Sequence, residues 1–374
     1  MSLLFRVIIS ANAMLLLPTL LAGAGIYILT DLFERLDNFI DAQLGAKTVL
    51  IYFVYKLPLI ISQIMPVVFL LATVIQVCLM MRGREIMALY AGGISPLTIL
   101  RILFVCGMLW SAVQFGFSQW LGAEGERQSM RIWLEQVRKR NISQTILTDV
   151  WFTENSWIVS LGTLKPDNTG NNLQACRLSP DALQVEELLQ AQHYAAGPDA
   201  WQLSDVLRIY PSQFRREHAD TLSLPLRQDL NSFRLIKVGS NLQQLSAAQL
   251  SQAIDALHAS GSNVEALRTA WHGKIAYAAS LAVMSLVAMA IAAWKDNMYI
   301  AVGLALLVTF LYYALYTVAN TLGQQGVLPP FLAAWLANFV TAGIALFRLA
   351  PLVLPRCPSV RGLIFRWSPL RRFA

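Results

Sequence analysis

Charged residues are absent from Val7 to Thr30, Leu57 to Met81, Ile102 to Ala123 and Ile275 to Trp294. A bilayer core of about 30 Å takes about 20 apolar residues in a helix, so each run predicts one crossing. The uncharged run from Asn297 to Phe347 covers 51 residues, too long for one crossing. Gly323-Gln324-Gln325-Gly326 and Pro329-Pro330 mark a turn inside it and divide it into about 298–322 and 327–347. The pattern therefore predicts six transmembrane helices. The first is expected to be a retained helix rather than a signal peptide. It is longer than the roughly 7–15 residues of an h-region, and no small-x-small site closes it.

The polar pattern is concentrated in one place. Residues 124–274 form a long hydrophilic segment between the third and fourth runs. Its charges nearly cancel, 15 Lys or Arg against 16 Asp or Glu, and its length allows a small core of its own. Glu124 to Arg140 reads as a helix continuing from the third crossing. Leu245-Ser246 opens a second helical pattern through Leu250, Ile254 and Leu257 that stops at Ser260-Gly261. Between them, β-like runs cover Asp149–Leu161, Leu173–Leu178, Trp201–Tyr210, Thr221–Leu226 and Ser232–Val238. Turn-formers such as Pro166-Asp167-Asn168 and Gly197-Pro198-Asp199 separate several of them. That spacing predicts an antiparallel sandwich or open jelly roll.

Lys and Arg in the short loops set the orientation. The tail holds Arg348, Arg356, Arg361, Arg366, Arg371 and Arg372 with no acid. The loop after helix 2 holds Arg82, Arg84 and Arg101 against Glu85, and the loop after helix 1 holds Asp31, Glu34, Asp37 and Asp41 against Arg35 and Lys47. Both termini are expected in the cytoplasm, which places the long insertion in the periplasm of a Gram-negative cell. The fold class expected is an α-helical membrane protein with six transmembrane helices and a periplasmic all-β jelly-roll-like domain inserted between helices 3 and 4. The divisions are 1–123 (helices 1–3, with a cytoplasmic coupling helix near 84–91), 124–262 (the jelly-roll-like domain with helical flanks), 263–350 (helices 4–6) and 351–374 (a basic cytoplasmic tail).

Composition agrees: 56% of residues are hydrophobic and 14% charged, against about 25% charged in soluble domains. The net charge of +7 sits in the loops and tail, so it is a topology signal and no nucleic-acid partner is expected. Cys78, Cys106, Cys176 and Cys357 form no CxxC pair, which argues against a disulfide framework or a zinc site. There is no GxxxxGK[ST] loop, HExxH or GxSxG, so catalysis by this chain alone has little support and ATP is not bound by that route. His193, His218, His258 and His272 show no metal-ligand spacing, and His272 beside Trp271 and Lys274 reads as an interfacial residue. Apart from Lys56 at the edge of helix 2, the spans avoid the cost of a buried cation. The intramembrane acids of a proton- or sodium-driven transporter are missing. If this chain moves a substrate, a partner supplies the energy.

The segment Met81-Arg82-Gly83-Arg84-Glu85-Ile86-Met87-Ala88-Leu89-Tyr90-Ala91-Gly92-Gly93-Ile94-Ser95-Pro96 could receive it. Arg84 to Ala91 forms a short helix with Ile86, Leu89 and Tyr90 towards one side; Gly92-Gly93 ends it and Ser95-Pro96 starts another. Such a helix can dock into a groove on a soluble partner, with a charged residue fixing the register. The competing reading is a lipid-surface loop carrying positive-inside charges.

With these pieces in place, the chain resembles the LptF/LptG family of lipopolysaccharide-export permeases over nearly its whole length. The resemblance rests on Pro66 through Ser95, on Trp120-Leu121-Gly122-Ala123-Glu124-Gly125-Glu126 and on Trp201-Gln202-Leu203-Ser204. Ser260-Gly261, Trp271-His272-Gly273-Lys274-Ile275 and Gly326-Val327-Leu328-Pro329-Pro330 look more like the G-type subunit. The resemblance implies pairing with an LptF-type permease and a dimeric cytoplasmic LptB-type ATPase, which binds the ATP, so that no cofactor belongs to this chain. It implies delivery of lipopolysaccharide to periplasmic bridge proteins of the LptC/LptA type, and a cavity framed by helices 1 and 5. Carried onto this chain, Glu85 contacts the ATPase with Arg82, Arg84 and Tyr90 around it.

Lipopolysaccharide carries phosphates, and arginine pairs with phosphate in a bidentate fork. Arg35, Arg127 and Arg131, at the expected outer ends of helices 1 and 3, are candidates for that contact. The competing reading is salt bridging at helix ends, Arg35 with Asp31 or Arg131 with Glu135. Two other functions stand against the exporter: a non-transporting scaffold presenting a partner-binding periplasmic domain, and a lipoprotein-sorting permease, which the six-span layout disfavours.

Overall fold

The computed structural model describes residues 2–138, 147–154, 156–165, 167–179, 185–197, 200–226, 245–259, 263–294 and 297–353. The tail arginines Arg356, Arg361, Arg366, Arg371 and Arg372, Cys357, the run Ser232–Val238, Ser260-Gly261 and the turn residues Pro166, Pro198 and Asp199 lie outside them. The described residues divide into two compact units, one from 1–129 with 269–374 and the other from 130–268.

In the first unit the helices are α1 (Ser2–Asp41), α2 (Ala46–Arg82), α3 (Glu85–Ala91) and α4 (Pro96–Phe117). A π-helical turn at Ser118–Gly122 leads into α5 (Ala123–Ile132). Among the described residues, six helical segments are long and apolar enough to cross a membrane, as the sequence predicts. The acidic segment after helix 1 is not a loop. Helix α1 continues without a break to Asp41, and only residues 42–45 turn the chain. Glu34 and Asp37 are exposed, and no glycine or proline interrupts 31–41, so the helix leaves the apolar layer intact. At about 1.5 Å per residue α2 is roughly 55 Å long, well beyond a 30 Å core.

Between lipid-facing helices the hydrophobic effect gives no attraction, so close packing and interhelical hydrogen bonds decide the arrangement. Helix α2 is where most of those bonds end. Asn12 of α1 donates to Thr73 Oγ1 (3.1 Å) and Gln76 Oε1 (2.9 Å), and Gln76 donates back to the Ile8 carbonyl (2.8 Å). Gln114 of α4 donates to the Ser62 carbonyl at 2.7 Å.

The remaining helices are α6 (Ala247–Ala259) in the second unit, then α7 (Glu265–Ala292), α8 (Met298–Gln324) and α9 (Pro330–Val353). The Gln63 carbonyl of α2 accepts from Tyr277 of α7 and from Tyr313 of α8 (2.8 Å), while its side chain accepts from Tyr27 of α1 (3.1 Å). Asn338 of α9 donates to the Ala276 carbonyl (2.6 Å) and accepts from Tyr312 (3.0 Å). Gly107 lets α4 lie directly on α7: a Cβ there would meet Ala282 Cα at 2.9 Å and the Leu281 carbonyl at 3.0 Å.

The second unit contains one antiparallel sheet: β1 (Leu147–Glu154), β2 (Trp157–Leu164), β3 (Thr169–Leu178), β4 (Val185–Ala196), β5 (Trp201–Tyr210) and β6 (Arg215–Leu224). The run Asp149–Leu161 thus falls in two strands, which pair at Glu154 and Trp157, and β4 is a strand the alternation does not pick out. The strands pair in chain order as a meander; the Greek-key crossing of a jelly roll is not among the described pairings. One face buries Leu161, Leu173, Leu189, Trp201, Leu203 and Val206. In the middle of the sheet Gly162, Asn172, Gln192 and Asp205 are passed over in the strand pairing, and Asn172 and Asp205 have φ of +57°. The inward–outward alternation changes phase along that line. The expected pattern after Leu245 is α6, closed at its start by a reciprocal pair: Gln249 N–H donates to Ser246 Oγ (3.3 Å), and Ser246 N–H donates to Gln249 Oε1 (3.0 Å).

Replacing Gly107 with valine forces α4 off the α7 backbone and lowers stability by about 1–3 kcal/mol. Gly116→Val, on the same helix with open space around it, serves as the control. Thermal unfolding of both in detergent checks this; equal melting temperatures would contradict the close helix contact.

Candidate functional site

Helix α3 is a seven-residue element closed at its C-terminal end by a glycine cap. Its start is set by Arg84, whose φ of +57° is uncommon for a non-glycine residue, and Ala88 N–H donates to the Arg84 carbonyl (2.9 Å). At its end, Gly93 takes φ +81°. There, Gly93 N–H reaches the Tyr90 carbonyl and Ile94 N–H the Leu89 carbonyl, both at 3.0 Å. That is the doubly bonded glycine cap that satisfies the last carbonyls. Ser95 then accepts from Thr98 N–H and Pro96 opens α4. The spacing of Ile86 and Leu89 places both against the chain's own core, with Ile86 buried.

This changes the expected division of labour. Ile86 and Leu89 anchor α3 to its own chain, and the apolar groups turned outwards are Met87 and Tyr90. Arg82, Arg84 and Glu85 are exposed beside them. Partial burial raises the Tyr90 phenol above its ordinary value, so it stays a neutral hydrogen-bonding group. Of the residues singled out, Glu85 and Tyr90 thus lie on α3, Arg84 immediately precedes it and Arg82 ends α2.

A second cluster lies further along α2, where Lys56 and Arg82 are 26 residues, or about 39 Å, apart. Asp31 Oδ2 accepts from Lys56 Nζ at 2.7 Å and Asp31 Oδ1 from Arg35 Nε at 3.0 Å. Lys56 also lies over the Tyr52 ring (5.4 Å), and Tyr52 packs edge-on to Phe39 and Phe53. The Asp31 and Lys56 side chains are each only 9% exposed. The cation taken as the edge of helix 2 is therefore buried inside α2, and a carboxylate from α1 neutralises it. The sequence carries a signal for this pair. Asp31 and Lys56 lie at equal distances from the centre of the turn at 42–45, and an antiparallel hairpin brings such positions together.

Arg35, Arg127 and Arg131 all have carboxylate partners on their own helices: Asp31, Glu124 (3.5 Å) and Glu135 (3.0 Å). Arg127 and Arg131 are well exposed, and such pairs are worth at most about 1 kcal/mol. Arg35 is half-buried and shares its carboxylate with Lys56. Among the described residues no three His, Cys, Asp or Glu side chains come together as metal ligands.

Exposure also separates the helices. The buried share of the most apolar window is 22% for α1 and for α8, against 61% for α2 and 78% for α7. Six helices long and apolar enough to cross a membrane among the described residues, with a separate six-stranded antiparallel sheet, define a multi-pass membrane protein. The chain matches the family described as lipopolysaccharide export system permease LptF/LptG over residues 6–351; it belongs to that family and is a transport subunit of the inner membrane. No curated protein sequence matches it.

Lys56→Met leaves Asp31 buried with only Arg35 and lowers stability by about 3 kcal/mol. The double variant Asp31→Asn, Lys56→Met recovers most of that loss. Chemical or thermal unfolding of the two singles and the double measures the coupling; strictly additive losses would show that the groups do not act as a pair.

Proposed function

We propose that the chain is the G-type permease of an ATP-driven exporter that extracts lipopolysaccharide from the inner membrane. In this reading it pairs with an LptF-type permease and hands the lipid to LptC/LptA-type bridge proteins. A separate LptB-type ATPase dimer binds ATP and pushes on α3. Both termini lie in the cytoplasm with α3, and the β unit, a jelly-roll-like module, lies in the periplasm.

The observation that carries this is α3 itself. A free seven-residue helix transmits nothing, but this one is capped at its C-terminal end and fixed by Ile86 and Leu89 to the core. A load on its outer face therefore passes into α2 and α4. Glu85, exposed at the start of α3, supplies the charge that fixes register with the partner, flanked by Arg82 and Arg84, with Tyr90 as an apolar contact. Helices α1 and α8, the least buried in their own chain, line the lipid cavity. Arg127 and Arg131 can exchange weak carboxylate partners for lipid phosphate at little cost. Arg35 contributes while remaining tied to Asp31.

Reconstitution of the exporter tests this. Glu85→Ala cuts ATP-driven lipopolysaccharide release by about tenfold, as expected for loss of a charge-assisted contact of 1.5–3 kcal/mol. A photocrosslinker at Leu21, exposed on α1, yields lipopolysaccharide adducts, and one at Val113 on α4 does not. Normal release by Glu85→Ala removes the coupling role; absence of adducts at Leu21 favours the scaffold.

A further inference from the structure

Helices α7, α8 and α9 leave between them an apolar groove of about 470 Å³, walled by Ile291, Val308, Leu311 and Ile344 among others. Its volume lies within the 300–1,000 Å³ range of small-molecule sites. Along α8 it runs from Leu304 to Leu315, 11 residues or about 16 Å, which is roughly half a 30 Å bilayer core. The walls are apolar over that whole length, which suits an extended hydrocarbon chain.

One end of the groove is chemically different. Arg348 of α9 lines it there and stacks over the Trp294 ring, 5.6 Å from its centroid. Among the described residues Arg348 has no carboxylate within ion-pair distance. Stacking occupies the face of the guanidinium and leaves the N–H groups at its edge for an oxyanion, and tryptophan favours the level of the headgroups. A slot one leaflet deep, apolar along its walls and cationic at one end, is complementary to an amphiphile with an anionic head.

We propose that this groove holds one acyl chain of an anionic phospholipid of the cytoplasmic leaflet, its phosphate bound by Arg348. The site is separate from the cavity assigned to α1 and α8, and the lipid braces α8 against α7 and α9. The leaflet rests on the orientation proposed above; occupancy of the groove does not.

The test uses the full chain in nanodiscs made of equal parts phosphatidylglycerol and phosphatidylcholine, extracted gently and weighed by native mass spectrometry. The wild-type protein retains phosphatidylglycerol in preference. Arg348→Gln lowers that retention about tenfold, and Arg348→Lys keeps part of it. Ile344→Trp, which fills the groove and leaves Arg348 in place, also loses the lipid. Equal retention by the wild-type protein, Arg348→Gln and Ile344→Trp overturns the proposal, as does a photocrosslinker at Val340 that captures a polypeptide instead of lipid. In sealed spheroplasts Arg348→Cys is protected from an impermeant maleimide. Labelling from outside overturns the orientation and the leaflet while leaving the retention result to decide the groove.

Discussion

Inside a bilayer there is no water to exchange hydrogen bonds with, so each polar group on an apolar helix needs a partner in the protein. In this chain that requirement converges on α2. Gln63 alone receives Tyr27, Tyr277 and Tyr313 from three other helices, and Thr73 and Gln76 hold Asn12 of α1. The glycine contact between α4 and α7 adds close packing of the kind that membrane helices use where the hydrophobic effect is silent. Together these fix a centre around which the less buried helices are arranged.

That centre gives the permease a mechanical layout. Helix α3 is joined directly to α2 and α4, so force applied at α3 enters the most constrained part of the unit. Helix α2 then runs about 39 Å from Arg82 to Lys56, and there the Asp31 carboxylate ties it to α1. The Asp31–Lys56 pair is buried, and such a pair fixes register more than it adds stability. The exposed pairs of Arg127 and Arg131 have the opposite character, since they are weak and can be exchanged. Buried charge thus joins the helices, and the exposed pairs tie together only neighbouring turns of their own helix.

The β unit shows a similar division between constraint and variation. Its apolar face is continuous across six strands, although the alternation shifts in phase where Asn172 and Asp205 take a left-handed backbone. A phase shift shared by neighbouring strands keeps the inward residues in one layer while bending the sheet.

Much of this was legible in the residues. Uncharged runs fix the number of crossings because a charge in hydrocarbon costs more than helix packing returns, and Gly92-Gly93 fixes the end of α3 and Ser95-Pro96 the start of α4 through local geometry. Leu245-Ser246 marks the start of α6 in the same way. Other features were not legible. Strand β4 hides because its alternation breaks at Gln192 and His193, and a period of two cannot be read across the break. The length of α1 hides because exposed acids suit a helix above the membrane as well as a loop. That Ile86 and Leu89 turn inwards, leaving Met87 and Tyr90 outside, depends on where the core lies. The pairing of Lys56 with Asp31 lies between these cases: their symmetry about the turn at 42–45 is in the sequence, and their burial depends on the packing. Local sequence determines which segments are helical and apolar, because backbone bonding and solvation act over a few residues. Only the tertiary structure decides which polar side chains meet, because those contacts depend on how distant helices are brought side by side.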